Sequence, residues 1–536
     1  MSGARSRTQA PTGRHVNNVV ADQSEVAAAL AEPALYGREL APGEPIERID
    51  THGAMVFLAG ERAYKIKRAV RYPYMDFSTL ARRRWACARE IELNRRTAPE
   101  LYIGIVAITR EADGALALGG AGEPVEWAVV MRRFAQEALG DRLAQAGRLT
   151  PELARALADE VAAFHANAEI LRGADAAAGG GTAGLRAVIE ENFAELRERP
   201  DLFATADLAA LAEAARAAHD QHAALLDRRL AAGLVRRCHG DLHLRNICVI
   251  DGRPRIFDAI EFNDAIAGID VLYDLAFLLM DMEHRGLRAQ ANAVLNRYMQ
   301  QRDDMTGLAA LPLFLSTRAT VRAKVGASAA ASQDSPAAIR RLSDEAVGYF
   351  RAAQAYLQPV PPRLIAIGGL SGTGKTTLAW RIGPDLGAAP GALHLRSDVV
   401  RKALHGVDEL SRLPKAAYTA AASAQVYAEL AERAGTALRA GRAVVVDAVY
   451  AAPAERDAIA KVAGDLGLPF TGLWLEASVE QMRDRVGGRQ GDASDATPAV
   501  VRAQLAYDVG VLKWRRLDAS GSPAAVAAAA LRILAG

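Results

Sequence analysis

At 536 residues the chain exceeds the size at which a single core keeps growing, so two or three domains are expected. Its 65 Lys and Arg nearly cancel 63 Asp and Glu, leaving a net charge of +2, so no global field favours nucleic acid or an anionic membrane surface. The 3 cysteines, Cys87, Cys238 and Cys248, are too few and too scattered for a disulfide framework or a zinc site, which fits a reducing cytoplasm.

Residues 1–20 are polar and basic without periodicity or an apolar leader core, which predicts a disordered tail and no export. From Ala54 to Lys67 the residues alternate and turn at Gly60, as an antiparallel hairpin would. A helix is predicted from Thr79 to Arg96, then strands near Leu101 to Thr109 and Val125 to Met131. The run Arg82-Arg83-Arg84 reads as a solvated helix face. Beyond residue 135 the sequence is strongly helical, interrupted by the cluster Gly179-Gly180-Gly181, which predicts a loop. The most apolar stretch, Val271 to Met280, is too short to span a bilayer, so no membrane anchor is expected.

Within that helical region stands His239-Gly-Asp241-Leu-His-Leu-Arg-Asn246, followed by Ile256-Phe257-Asp258. The turn signal Asp251-Gly252 joins two short strands, and folding that hairpin returns Asp258 to the end where Asn246 lies. An amide and a carboxylate then suit Mg²⁺ on a triphosphate, while Asp241 is left to orient or deprotonate a hydroxyl. The spacing of Asp241 and Asn246 is the D-x-x-x-x-N of a kinase catalytic loop. Residues of about 50 to 350 therefore resemble the aminoglycoside phosphotransferase and protein-kinase-like superfamily. The resemblance implies a bilobal fold with an N-lobe over 21–133 and a helical C-lobe over 134–356, and residues 127–133 as the hinge to adenine. It implies Asp241 as the catalytic base, with Asn246 and Asp258 as metal ligands. It also implies a strand lysine that grips the α/β phosphates, held by a helix glutamate. Lys65, flanked by apolar residues, fits that pattern better than Lys67, and Glu90 is preferred to Glu92. The glycine-rich cover over the phosphates is missing, with only Gly53 and Gly60 nearby.

The stretch 357–362, Leu-Gln-Pro-Val-Pro-Pro, is a stiff proline linker and predicts a domain boundary before residues 363–536. There, strands at 364–368, 392–396, 443–447 and 470–476 alternate with helical patterns, which predicts a parallel α/β sheet. After the first strand comes Gly369-Leu370-Ser371-Gly372-Thr373-Gly374-Lys375-Thr376, a complete G-x-x-x-x-G-K-[ST] phosphate loop that opens a helix at Thr376-Thr377. Loop amides would wrap the phosphates, Lys375 would reach the β/γ oxygens, and Thr376 would hold Mg²⁺. Asp398, with Arg401 three residues on, lies where an acceptor could be positioned, although Ser397 or Asp398 could equally cap a helix. The strand ending in Asp447 has the form of a Walker-B element, and Arg485 and Arg489 suit a mobile lid whose return loop is Asp492 to Ala496.

Residues 363–536 resemble the small P-loop kinases related to gluconate kinase, adenylate kinase and zeta-toxin-like proteins. The order of the two halves resembles a bacterial fusion family of aminoglycoside-phosphotransferase-like/ATP-binding proteins. The expected fold class is thus multidomain, α/β and α+β: a bilobal kinase-like module followed by a three-layer P-loop domain with a parallel sheet. The expected activity is ATP- and Mg²⁺-dependent transfer to hydroxyl groups of small molecules. A low-turnover ATP switch is the alternative, and a nucleic-acid end kinase is less favoured because no basic stripe with interleaved aromatics is present.

Overall fold

The structure is a computed structural model that describes residues 18–40, 43–488 and 491–535. Most of the predicted tail, and Arg489, lie outside the described residues. The chain forms two compact units: one ends at Ala135 and takes in Phe257–Asp264, and the other comprises Gln136–Ile256 and the chain from Ala265 onward.

In the first unit, β1 (Glu47–Asp50), β2 (Ala54–Ala59), β3 (Arg62–Lys67), α1 (Leu80–Asn94), β4 (Tyr102–Arg110), β5 (Leu116–Leu118) and β6 (Glu123–Arg132) follow in chain order. The strands form one antiparallel sheet in the order β1-β2-β3-β6-β4-β5. The β2–β3 hairpin pairs Ala54 with Lys67 and Ala59 with Arg62, and its tight turn places Gly60 at φ 55°, a left-handed conformation that costs glycine nothing. Alternation then sorts the side chains of β3. Tyr64 and Ile66 join Phe57, Ile108, Ala128 and Val130 in an apolar core under the segment holding Leu30 and Tyr36. Phe57 and Ile66 are wholly buried, each worth about 1.5–3 kcal/mol. Lys65 and Lys67 point to the other face. There α1 packs, started by the Thr79 hydroxyl, which accepts from the Arg82 amide at 3.3 Å.

The second unit begins with helices and one small hairpin: α2 (Pro151–Asn167), β7 (Ile247–Ile250), β8 (Arg253–Ile256), α3 (Val271–His284), α4 (Arg288–Arg302), α5 (Leu311–Ala331) and α6 (Pro336–Tyr356). Asp251 and Gly252 both have positive φ, 50° and 75°, the backbone that a two-residue hairpin turn demands. Helix α3 is buried on every side from Val271 to Met282, so it is a central core helix and not a surface one. The Gly179–Gly181 cluster is not a loop: helices Gly173–Gly179 and Gly181–Leu196 meet there with only Gly180 between them. A Cβ at Gly179 would lie 2.2 Å from the Ala265 carbonyl oxygen, so this close helix junction needs glycine.

The same unit continues through β9 (Leu364–Gly368), α7 (Lys375–Ile382), β10 (Leu393–Arg396), α8 (Ser397–Leu404), β11 (Val444–Asp447), β12 (Phe470–Glu476), α9 (Val479–Gly487), α10 (Pro498–Gln504) and β13 (Arg515–Asp518). These strands make a wholly parallel sheet ordered β10-β11-β9-β12-β13. Buried runs such as Leu364–Gly368 and Val444–Asp447 fit a sheet covered on both faces. The edge strand β10 does not end in solvent. Asn292 and Asn296 of α4 donate to the Ala392 carbonyl at 3.0 and 3.1 Å, and Asn296 accepts from the His394 amide at 2.6 Å. Among the described residues no helix is long and apolar enough to cross a membrane.

Candidate active sites

The first constellation lies in the sheet unit. Lys65 donates to Glu90 at 2.9 Å and to Asp258 at 2.5 Å, while Lys67 donates to the other Glu90 oxygen at 2.5 Å and to Glu261. One helix carboxylate therefore bridges two strand lysines two residues apart, and both lysine alternatives reach the same partner. Glu90 is fully buried, whereas Glu92 pairs with Arg89 in solvent. Burial works against the Lys65 charge, yet Asp258 and Glu90 outweigh it and hold the ammonium well above its ordinary value. Asp258 itself has φ 65°, an uncommon conformation for a non-glycine residue. It is imposed by neighbours: Tyr102 Oη accepts from the Asp258 amide at 3.1 Å, and Asn94 Oδ1 accepts from the Ala259 amide at 2.8 Å. The carboxylate remains 39% exposed, so it is available to a cation.

The second constellation is the loop before β7. Asn246 donates through Nδ2 to the Asp241 carbonyl at 2.9 Å and to its carboxylate at 3.1 Å, which leaves the amide oxygen as the group it offers. His243 Nε2 lies 3.3 Å from the same carboxylate. Burial would raise the Asp241 carboxyl, but His243, Arg322 and His239 hold it far below the ordinary range, so it is ionised at neutral pH. The loop backbone hangs from Asp274 of α3, which accepts from the amides of His239 at 3.1 Å and Gly240 at 3.0 Å and contacts His165 Nε2 at 3.1 Å. Arg318 of α5 donates to the Gly240 carbonyl at 3.3 Å.

The third constellation surrounds the phosphate loop between β9 and α7. A Cβ at Gly372 would lie 2.4 Å from the Met482 carbonyl oxygen, so α9 presses directly on the loop. A Cβ at Gly374 would meet nothing nearer than an Arg485 guanidinium nitrogen at 3.9 Å, so that side of the loop is open and faces a cation. A glycine-rich loop with one open side and with Lys375 and Arg485 beside it fits a polyphosphate. Lys375 Nζ donates to the carbonyls of Gly369 at 2.8 Å and Leu370 at 3.0 Å. The Thr373 hydroxyl is used inside the loop, on Leu370, and Thr377 is exposed on the first turn of α7. The Ser371 amide donates to Gln504 of α10 at 2.7 Å. The Thr376 hydroxyl is bonded to Asp447. This pair of hard oxygen donors fits Mg²⁺. Burial would raise Asp447, but the neighbouring His394, whose Nε2 lies 3.1 Å away, and Arg396 bring it down to about 2.

Asp398 lies in the first turn of α8, and its carboxyl is raised mainly by burial. Its arginine neighbour is Arg396 of β10, not Arg401. Arg401 turns away to the Ala417 carbonyl at 2.6 Å and the Tyr418 ring. Arg485 donates to the Ala519 carbonyl at 2.9 Å, and Arg489, the other predicted lid arginine, lies outside the described residues.

A model described as "Phosphotransferase enzyme family" matches residues 80–311, and one described as "AAA domain" matches residues 364–508. An uncharacterized protein of Mycobacterium tuberculosis is 31% identical over 482 residues, spanning 88% of this chain and 92% of its own length, and one of Mycobacterium bovis gives the same values. The chain belongs to this two-module phosphotransferase/ATP-binding family. Among solved structures, a choline/ethanolamine kinase family protein from Mesorhizobium loti is 17% identical, covering 62% of this chain and 95% of its own, with a TM-score of 0.38. A gluconokinase from Sinorhizobium meliloti is 22% identical, covering 33% and 93%, with a TM-score of 0.24. As a member of the two-module family the protein is a kinase with a hydroxyl acceptor, built from a kinase-like module and a P-loop module with a parallel sheet. Several residues around these sites went unremarked in the sequence: Glu261, Asp274, Arg396, His394 and Gln504. Only Asp274 carried a signal, a carboxylate within the apolar run Val271 to Met280, where a buried charge requires partners.

Proposed function

We propose that the protein is an ATP- and Mg²⁺-dependent kinase with two separate nucleotide sites, each transferring a phosphoryl group to a hydroxyl of a small molecule. The observation that carries this reading is the open phosphate loop with Lys375 and Arg485 about it and the Thr376–Asp447 oxygen pair beside it. A bound Mg²⁺ would neutralise charge on the triphosphate, held by Thr376 and Asp447 in the P-loop module, while in the kinase-like module Asp258 in the sheet unit and Asn246 in the helical unit are each candidate metal ligands. Lys65, fixed by Glu90, would grip the α/β phosphates of the second nucleotide.

Asp241 would act on the acceptor hydroxyl of the kinase-like module. Held so far below the ordinary range, it is a weak base whose main work is to orient the hydroxyl and take its proton late. That is sufficient where the transition state is loose and little proton transfer precedes bond breaking. In the P-loop module Asp398 would stand on the acceptor side, with Arg485 stabilising the transferring phosphoryl.

The test is transfer from γ-labelled ATP to a bacterial metabolite extract by wild type, Asp241→Ala and Lys375→Ala. Labelled small molecules lost in one variant but retained in the other are expected for each module. Binding of ATP without any labelled product beyond slow hydrolysis would replace this reading with that of a regulatory switch.

A further inference from the structure

The segment that follows α9 lies against the acceptor side of the P-loop site, and both of its ends are pinned. At one end Asp492 Oδ1 accepts from Arg396 Nη2 at 3.0 Å and from the Ser494 amide at 2.8 Å, an Asx turn that fixes the direction of Ser494. At the other end Asp495 accepts from Lys402 Nζ at 3.0 Å, from the Leu413 amide at 3.0 Å and from the Tyr418 hydroxyl at 2.5 Å. Between these anchors Ala493 is buried and the Ser494 hydroxyl donates to Asp398. Arg396 stands opposite Asp447 in the parallel sheet, and Asp398, two residues further on, lies within electrostatic reach of Asp447 and Lys375, so the hydroxyl sits on a carboxylate at the strand ends that carry the phosphate loop. Arg396 is only 6% exposed, and its Nε has no hydrogen-bond partner among the described residues. The strap thus presents a hydroxyl to the acceptor-side carboxylate beside an arginine with donor capacity in reserve.

We propose that Ser494 is an intramolecular phosphoryl acceptor of the P-loop site, a modification site on the segment 491–497. The proposal rests on the reading that this loop binds ATP. In the step, Ser494 Oγ forms a bond to the γ-phosphorus while the bond from that phosphorus to the β,γ-bridging oxygen breaks. The hydroxyl proton passes to Asp398, and ADP leaves with the electron pair on the former bridging oxygen. The product is a phosphoserine of charge about −1.5 to −2, set beside the carboxylates of Asp398 and Asp492. Arg396 keeps its bond to Asp492 through Nη2 and has Nε left for the new anion, but the phosphate set against the carboxylates of Asp398 and Asp492 repels both, so the first anchor is weakened and the strap loosens. Automodification would therefore uncover the acceptor side of the same site.

The experiment uses the full chain, treated with phosphatase, incubated with ATP and Mg²⁺, and mapped by peptide mass spectrometry. One phosphoryl group is expected on the peptide containing Ser494, at a rate unchanged on dilution. It should be lost in Ser494→Ala, Lys375→Ala and Asp398→Asn, and kept in Asp241→Asn. Hydrogen exchange gives a readout apart from activity: amides of 491–497 should exchange faster in Ser494→Ala, where the bond to Asp398 is absent, and faster again in the phosphorylated chain. Lys375-dependent ATP binding with Ser494 unmodified overturns the proposal and leaves the P-loop reading standing. Absence of Lys375-dependent ATP binding overturns both. A label on Ser494 that persists in Lys375→Ala also overturns it, because the phosphoryl group then comes from elsewhere.

Discussion

Lys67→Met is predicted to destabilise the sheet unit more than Glu90→Gln, although Glu90 is the residue with two lysine partners. The five groups Lys65, Lys67, Glu90, Asp258 and Glu261 carry two positive and three negative charges, and Lys67, Glu90 and Glu261 have 2%, 0% and 5% of their surface exposed. Removing the Glu90 charge leaves one carboxylate for each ammonium, Asp258 for Lys65 and Glu261 for Lys67, so the loss is about that of one or two hydrogen bonds, ~1–2 kcal/mol. Removing Lys67 leaves three carboxylates around one ammonium and strands Glu261, which burial already pushes up; breaking a buried pair in this way costs about 3–5 kcal/mol. Adding Glu261→Gln to Lys67→Met should recover much of that loss, because the stranded charge is removed with its partner. The assay is native-state hydrogen exchange of the β3 and α1 amides, which reads the opening free energy of this unit alone. Equal costs for the two single variants, or a double variant that simply adds the two losses, would refute the charge-counting argument.

Three further outcomes are expected. Asp274→Asn removes the carboxylate that three donors share, and should cost about 3–5 kcal/mol in urea unfolding. Burial opposes the Asp274 charge but His165 and its neighbours win and lower its pKa, so its stabilisation is present above the ordinary 3.8 and lost as pH falls below it; the variant's stability should therefore fall less steeply in acid than wild type's. In Asn296→Leu the His394 amide loses its acceptor in a buried edge, which should cost about 1–3 kcal/mol, seen by fluorescence of the buried Trp474 of β12 and of Trp514 just before β13. At ATP about a hundredfold above Kd, binding to one site should add ~2.7 kcal/mol to wild-type stability, and the P-loop module's share should vanish in Lys375→Ala.

Local rules made much of the architecture legible. Alternation and Gly60 gave the β2–β3 hairpin, Asp251-Gly252 gave β7–β8, and four strand-like segments alternating with helical patterns gave β9 to β12. The fifth strand, Arg515–Asp518, was invisible because an edge strand with only Leu517 buried has neither an apolar run nor alternation. Around the sites, the spacing of Asp241 and Asn246 is short-range information, and the structure does bring those two side chains together. What could not be read is where long side chains go once distant segments arrive. Asp398 and Arg401 are spaced to meet on a helix, yet the 408–418 loop supplies Arg401 with a carbonyl and a ring, and Arg396 takes its place beside Asp398. Glu261 and Gln504 are likewise set by contacts across 194 and 133 residues of chain.

The claim of two separate nucleotide sites is tested most directly by the stoichiometry of a non-hydrolysable ATP analogue with Mg²⁺, measured by equilibrium calorimetry. Two analogues per chain are expected for wild type, and one each for Lys375→Ala and for Lys65→Ala. A single analogue bound by wild type, or a stoichiometry that neither substitution changes, would contradict it.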